Sequence, residues 1–253
     1  MSKSLSSDVV FLPLGGCGEI GMNFNLFGHA DQWVAVDCGI TLEQVPGALR
    51  PSVQMPDLSF IATRREQLAG LIVTHAHEDH LGALPYLWEQ LRCPVYATPF
   101  AAAVLRHKTR SRRGVLPSSL IEIEPGEEIK VGPFDIEWIP ITHSTPETCA
   151  LSITTPQSRI LHTADWKIDP VPIVGAAWSS QRFRELGDAR QGLHPRHVTG
   201  EAAHHNAPFT SLYDLTQTNR DLALGRRMPR AQRIGGVADH RVYPLIAQLA
   251  KSL

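Results

Sequence analysis

Three histidines and an aspartate fall within the six residues His75-Ala76-His77-Glu78-Asp79-His80. Imidazole nitrogens and carboxylate oxygens are donors that suit zinc or manganese. An apolar run at residues 71–73 precedes them and reads as a short buried strand. In an extended strand end, residues two apart project to the same side, so His75 and His77 can share one metal ion. Asp79 and His80 fall at the turn into the next element, point elsewhere and can hold a second ion close by. A solvated histidine-rich turn would account for one such histidine, but not for this cluster between a buried strand and an amphipathic helix. That helix is predicted over residues 81–91, with Leu84, Leu87, Trp88 and Leu91 on one face and Pro85 tolerated in its first turn.

Two further positions can add ligands. An apolar strand at residues 136–141 leads to His143 in a Ser/Thr/Pro loop, and another at 160–162 leads to Asp165. Each is a polar residue just past a strand end, where loop-borne ligands stand on a rigid sheet.

A competing chemistry must be weighed at the start of the chain. Gly16-Cys17-Gly18-Glu19-Ile20-Gly21 is a literal G-x-G-x-x-G behind a strand-like run at residues 9–14, and Asp37 follows at the end of another apolar run. A dinucleotide site needs a helix directly after the third glycine. Here Met22, Phe24 and Leu26 alternate with Asn23 and Asn25, which is strand periodicity. Residues 28–32 read as a turn and 33–36 as a return strand, leaving no room for a helix before Asp37. The glycines therefore lie between strands of a β-meander.

Together these motifs, Asp37 in VDCG, the H-x-H-x-D-H, His143 and Asp165, resemble the metallo-β-lactamase superfamily. More narrowly, LPLGGCGEIGMN, VTHAHEDHLGALPYL and HTADWKIDP resemble the ribonuclease J family of the RNA-processing β-CASP branch, over residues 9–188. The resemblance implies an α/β chain with an αββα sandwich and two zinc ions at its edge. His75, His77 and His143 would hold one ion, Asp79 and His80 the other, and Asp165 would bridge them. Asp79, His80 and Asp165 would then be catalytic as well as ligating. Asp37 would orient the ligand loop from behind, and Gly16, Gly18 and Gly21 would form a loop beside the RNA backbone. The implied reaction is hydrolysis of RNA phosphodiesters, 5′-to-3′ exonucleolytic and endonucleolytic. Other readings are a thioesterase of the same fold, similar to glyoxalase II, and a non-catalytic remnant.

Composition fits an ordinary soluble protein, 43% hydrophobic and 19% charged. No apolar run is long enough to span a bilayer and the start lacks a signal-peptide core, so the cytoplasm is expected and a membrane partner is not. Four scattered cysteines predict neither a disulfide framework nor a cysteine zinc site.

Residues 1–189 are expected to form the metallo-β-lactamase-like domain, an incomplete one, and 190–253 an irregular C-terminal tail. The tail carries nine Lys+Arg against four Asp+Glu and five of the twelve histidines. It loses periodicity and uses Arg almost to the exclusion of Lys. His197, in HVTGEA, resembles a late family histidine but stands too early in the chain and lacks the second histidine of that motif. The family's inserted RNA-clamping domain and C-terminal oligomerisation domain have no counterpart, so a weak second zinc site and reduced activity are expected, with a homo-oligomer still compatible. The change in composition predicts a reading-frame shift near residue 189. Sequencing the coding DNA around codon 190 checks this, and an intact frame shared with related proteins rules it out.

Overall fold

The computed structural model describes residues 9–188 except 18, 45, 48, 113–118, 157 and 168. Gly18, His197 and the whole tail at 190–253 lie outside the described residues. The strands are β1 (Val10–Gly15), β2 (Phe24–His29), β3 (Gln32–Val36), β4 (Thr41–Glu43), β5 (Ser52–Gln54), β6 (Leu68–Val73), β7 (Val95–Ala97), β8 (Leu120–Glu122), β9 (Glu128–Val131), β10 (Phe134–Pro140), β11 (Cys149–Thr154) and β12 (Arg159–His162). The helices are α1 (Ser59–Ala62), α2 (Glu78–Leu81), α3 (Leu84–Leu91), α4 (Pro99–Arg112) and α5 (Gln181–Asp188). None of them is long and apolar enough to cross a membrane.

Two sheets form the middle of the molecule. The first has the order β1-β2-β3-β6-β7-β8, and the second β12-β11-β10-β9. The first begins as an antiparallel meander and continues in parallel from β3 through β8. The second is antiparallel throughout. A β4–β5 hairpin stands apart from both.

Side-chain alternation explains the layering. Phe27, Val34, Val36 and Ile72 of the first sheet face Phe134, Ile136, Trp138, Leu151 and Ile153 of the second. The alternate residues Phe24, Leu26, Ala35, Leu71 and Val73 face outward against Ile61, Leu84, Leu91 and Leu105 of the helices. On the far side of the second sheet, Ile139 and Ala150 pack with Phe183 and Leu186 of α5. The result is the expected α-β-β-α layering, with α5 the helix against the second sheet among the described residues.

The expected meander is present, with a tighter turn than predicted. β2 and β3 are joined by Ala30 and Asp31 alone, both at positive φ (49° and 61°). A two-residue hairpin with both residues left-handed matches the twist of its strands, even without the usual Asn-Gly.

The helix predicted over 81–91 is instead two pieces, and Asp79 and His80 lie inside the first. Backbone donors from elsewhere divide it. Asn23 N–H donates to Asp79 O (2.9 Å) and Cys38 N–H to His80 O (2.6 Å), while Ala83 N–H turns away to Cys38 O (2.9 Å). Pro85 has no N–H to offer Leu81 O. The loops at 21–23 and 37–40 therefore clamp α2 through its backbone. Gly39 makes that approach possible, since a Cβ there would sit 1.7 Å from Asp79 O.

Gly39→Ala is expected to cost ~1–3 kcal/mol or more, because the obstruction is backbone that must move. Trp138→Ala, in the centre of the inter-sheet core, should cost ~3–5 kcal/mol. Urea unfolding of both variants measures the losses; a Gly39→Ala protein as stable as wild type would contradict the clamp.

Candidate metal centre

The site lies where the two sheets meet at one edge. Cys149 N–H at the start of β11 donates to Thr74 O just past β6 (3.2 Å), joining the second sheet to the first. Asp37 follows β3, His75 and His77 follow β6, and His143 and Asp165 follow β10 and β12.

Asp37 is fully buried and takes a left-handed φ of 65°. Its Oδ1 accepts the Thr74 backbone N–H (2.8 Å), and its Oδ2 pairs with His80 Nδ1 at 2.7 Å. Thr74 Oγ1 lies 3.0 Å from both carboxylate oxygens and 3.0 Å from His75 Nδ1. The hydroxyl has one proton and the carboxylate can only accept, so Thr74 donates to Asp37 and accepts from His75 Nδ1–H. One carboxylate thereby places the Nδ1 proton on both His75 and His80, leaving each Nε2 turned to the site.

Those nitrogens converge with others. His75 Nε2 is 3.0 Å from His77 Nδ1, and His143 Nε2 is 3.2 Å from the same atom. A tetrahedral zinc ion with bonds of about 2.0–2.1 Å would separate its nitrogens by ~3.3 Å, so this set fits a metal ion. A second triplet, His75, His80 and Asp165, also has its donor atoms within 4.8 Å of one another. Asp165 Oδ2 stands 3.5 Å from His80 Nε2 and 3.9 Å from His143 Nε2, between the two triplets. Asp79 lies outside the second triplet, with its Oδ2 3.6 Å from His80 Nε2.

The electrostatics suit a cation. Burial pushes His75 down to about 3, helped by the neighbouring His80 charge. Burial also lowers His143, with His77 adding to it. His80 goes the other way, up to about 10, because Asp37 and the Asp165 carboxylate outweigh its burial. Burial would raise the Asp37 carboxyl, but the charge and hydrogen bond of His80 hold it below its ordinary value. The hydrogen bond from His80 brings Asp165 down to about 2.

The structure thus brings together His75, His77, Asp79, His80, His143 and Asp165, with Asp37 behind them. It also shows residues that the sequence did not single out. Asn23 Nδ2 donates to Asp79 O (3.0 Å) and stands 3.2 Å from His80 Nε2. The glycine segment approaches the site through this residue: Gly16, at φ 82°, packs where a Cβ would lie 2.2 Å from Asn23 Oδ1. Ser144 Oγ is 3.1 Å from His77 Nε2. His162 is buried beneath the site, and its desolvation favours the neutral ring. The short H-x-x-D spacing from His162 to Asp165 was the available signal for it.

Comparison with known proteins follows the same lines. The chain is 44% identical over 187 residues to ribonuclease J of Sinorhizobium meliloti, covering 72% of this chain and 33% of that protein. It is 35% identical over 189 residues to ribonuclease J of Helicobacter pylori, covering 74% and 27%. The chain therefore spans a third or less of the length of these relatives. A crystal structure of a protein of unknown function from Enterococcus faecalis V583 aligns with a TM-score of 0.50 at 16% identity, covering 86% of this chain and 58% of that one, which speaks to the fold alone. A family model described as "Beta-lactamase superfamily domain" matches residues 32–178, the span that holds both sheets' central strands and the histidine cluster. With its layers in this order and more than half its length matched, the chain belongs to the β-lactamase superfamily and has the metallo-β-lactamase fold.

Proposed function

We propose that this chain carries the catalytic metal centre of a ribonuclease J-type enzyme, a metal-dependent hydrolase of RNA phosphodiesters. The observation that carries this reading is the pair of adjoining donor triplets, in a chain that is 44% identical to a ribonuclease J over 187 residues. His75, His77 and His143 would hold one zinc ion, and His80 and Asp79 a second, with Asp165 near both sets. His75 stands close enough to both sets to serve either. The chemistry that zinc would supply here is activation of water as nucleophile and stabilisation of the charge that develops in phosphoryl displacement.

The residues themselves do the positioning. Asp37 fixes the rings of His75 and His80, and Asn23 holds the α2 backbone that carries Asp79. Asp165 is ionised under ordinary conditions and offers an oxygen to either triplet. Gly16 and Gly21 belong to the loop beside which the RNA backbone passes. Both 5′-to-3′ exonucleolytic and endonucleolytic cleavage belong to this reading, as does action in the cytoplasm. Residues 1–189 are read as an incomplete metallo-β-lactamase-like unit and 190–253, outside the described residues, as an atypical basic tail of sequence. The packing of α5 onto the second sheet supports counting that helix within the unit.

The test is metal content and turnover on the purified chain. Two equivalents of zinc are expected, with 5′-monophosphorylated RNA hydrolysed, activity lost to a chelator and His77→Ala inactive. Asp37→Ala should weaken zinc binding by about 10–100-fold and cost ~3–5 kcal/mol in stability, since it leaves His80 buried without its partner. Absence of bound zinc, or turnover of a thioester with none of RNA, would overturn the proposal.

A further inference from the structure

We infer that Ser144 is a positioning residue for the metal centre, holding the ring of His77 with Nδ1 toward the ion and its proton on Nε2. The inference rests on the zinc-binding function proposed for the cluster. His77 differs from the other two ring ligands of its triplet. It presents Nδ1, the atom next to the Cβ branch, to the point where His75 Nε2 and His143 Nε2 converge. His75 has its far nitrogen at that point because Thr74 occupies its Nδ1. A neutral imidazole has one N–H, so when Nδ1 gives its lone pair to an ion the proton must sit on Nε2. The Ser144 hydroxyl oxygen, 3.1 Å from that Nε2, is placed to accept it. His77 is only partly buried, so without Ser144 the proton would face water and the ring could turn over.

Ser144 is itself held in place. Its loop is anchored on one side by Thr142, whose hydroxyl oxygen accepts the Asp169 N–H (3.1 Å) and whose carbonyl accepts the Lys167 N–H (2.7 Å). On the other side, the Glu147 carboxylate accepts the Phe100 N–H in the first turn of α4 (2.7 Å), and Thr145 and Thr148 share a 3.0 Å contact between hydroxyls. An exposed serine on a loop pinned at both ends can act on a ligand with little freedom of its own. Partners of this type, accepting the outer N–H of a ligating histidine, typically contribute 10–100-fold in metal affinity.

The test is zinc affinity by competition with a chromophoric chelator for the full chain and for Ser144→Ala and Ser144→Thr. Ser144→Ala should bind zinc about 10–100-fold more weakly, and Ser144→Thr, which keeps the hydroxyl, should restore binding. NMR of the zinc-loaded protein should show an Nε2 proton on His77 that exchanges slowly in the wild type and faster in Ser144→Ala. The side chain is exposed, so the alanine variant should unfold at the wild-type urea midpoint. Equal zinc affinity in wild type and Ser144→Ala, or an Nε2 proton that exchanges as slowly in the alanine variant as in the wild type, overturns the role. A wild-type chain that takes up no zinc instead fails the proposed function, and the role of Ser144 falls with it.

Discussion

The buried carboxylate of Asp37 is the contact on which the rest of the site depends. Removing an ionised carboxylate from water costs on the order of several kcal/mol unless partners replace the lost hydration. Here the partners are a backbone N–H, a hydroxyl and an imidazole, drawn from just past β6 and from α2. The residue stands just past β3. Satisfying one charge therefore fixes three segments in relation to one another, and two of them carry metal-type donors. A hydrophobic residue at 37 would fill the space at lower desolvation cost. It would leave the orientation of His75 and His80 to chance.

Backbone strain is concentrated around the same centre. Met22, Asp37, Glu147 and Ala164 all take positive φ without being glycine, at 45°, 65°, 57° and 50°. Each such residue costs of order 1–3 kcal/mol and persists only where its surroundings over-determine it. Met22 precedes Asn23, which braces α2; Ala164 precedes Asp165; Glu147 anchors the His143 loop. The division of α2 from α3 belongs with these. The carbonyls of Asp79 and His80 are claimed by the 23 and 38 amides, so the helix cannot continue as one piece. The sheets supply rigidity, and these loops convert it into fixed ligand positions.

Much of this was legible in the sequence because it depends on local period and residue type. The alternation around Phe24 and Leu26 marked β2 and excluded a dinucleotide-binding helix. Donor chemistry at two-residue spacing marked His75 and His77, and strand ends marked His143 and Asp165. What was not legible depends on contacts between distant segments. No local rule predicts that Asn23 will take the carbonyl of Asp79 and split a helix with good spacing. Ala30-Asp31 lacks the Asn or Gly that usually announces a two-residue hairpin. Thr74 and Ser144 are ordinary residues beside histidines, and only the folded chain gives them partners. The glycine pattern was misleading taken alone: Gly16 serves a close approach to Asn23, and Gly39, outside the pattern, makes the tighter approach.

The charge distribution follows from the same contacts. His75 and His80 have ring centroids only 4.0 Å apart, too close for both to carry charge in a buried place. Asp37 breaks the symmetry by pairing directly with His80 and reaching His75 only through the neutral hydroxyl of Thr74. His80 is accordingly raised and His75 lowered. The outer nitrogen of His80 then faces Asp79 and Asp165, while His75 offers a bare nitrogen to His77 and His143. The cluster is thus divided into a half in which a raised histidine stands among carboxylates and a half made of three imidazoles. The asymmetry originates in one threonine hydroxyl placed between a carboxylate and a ring.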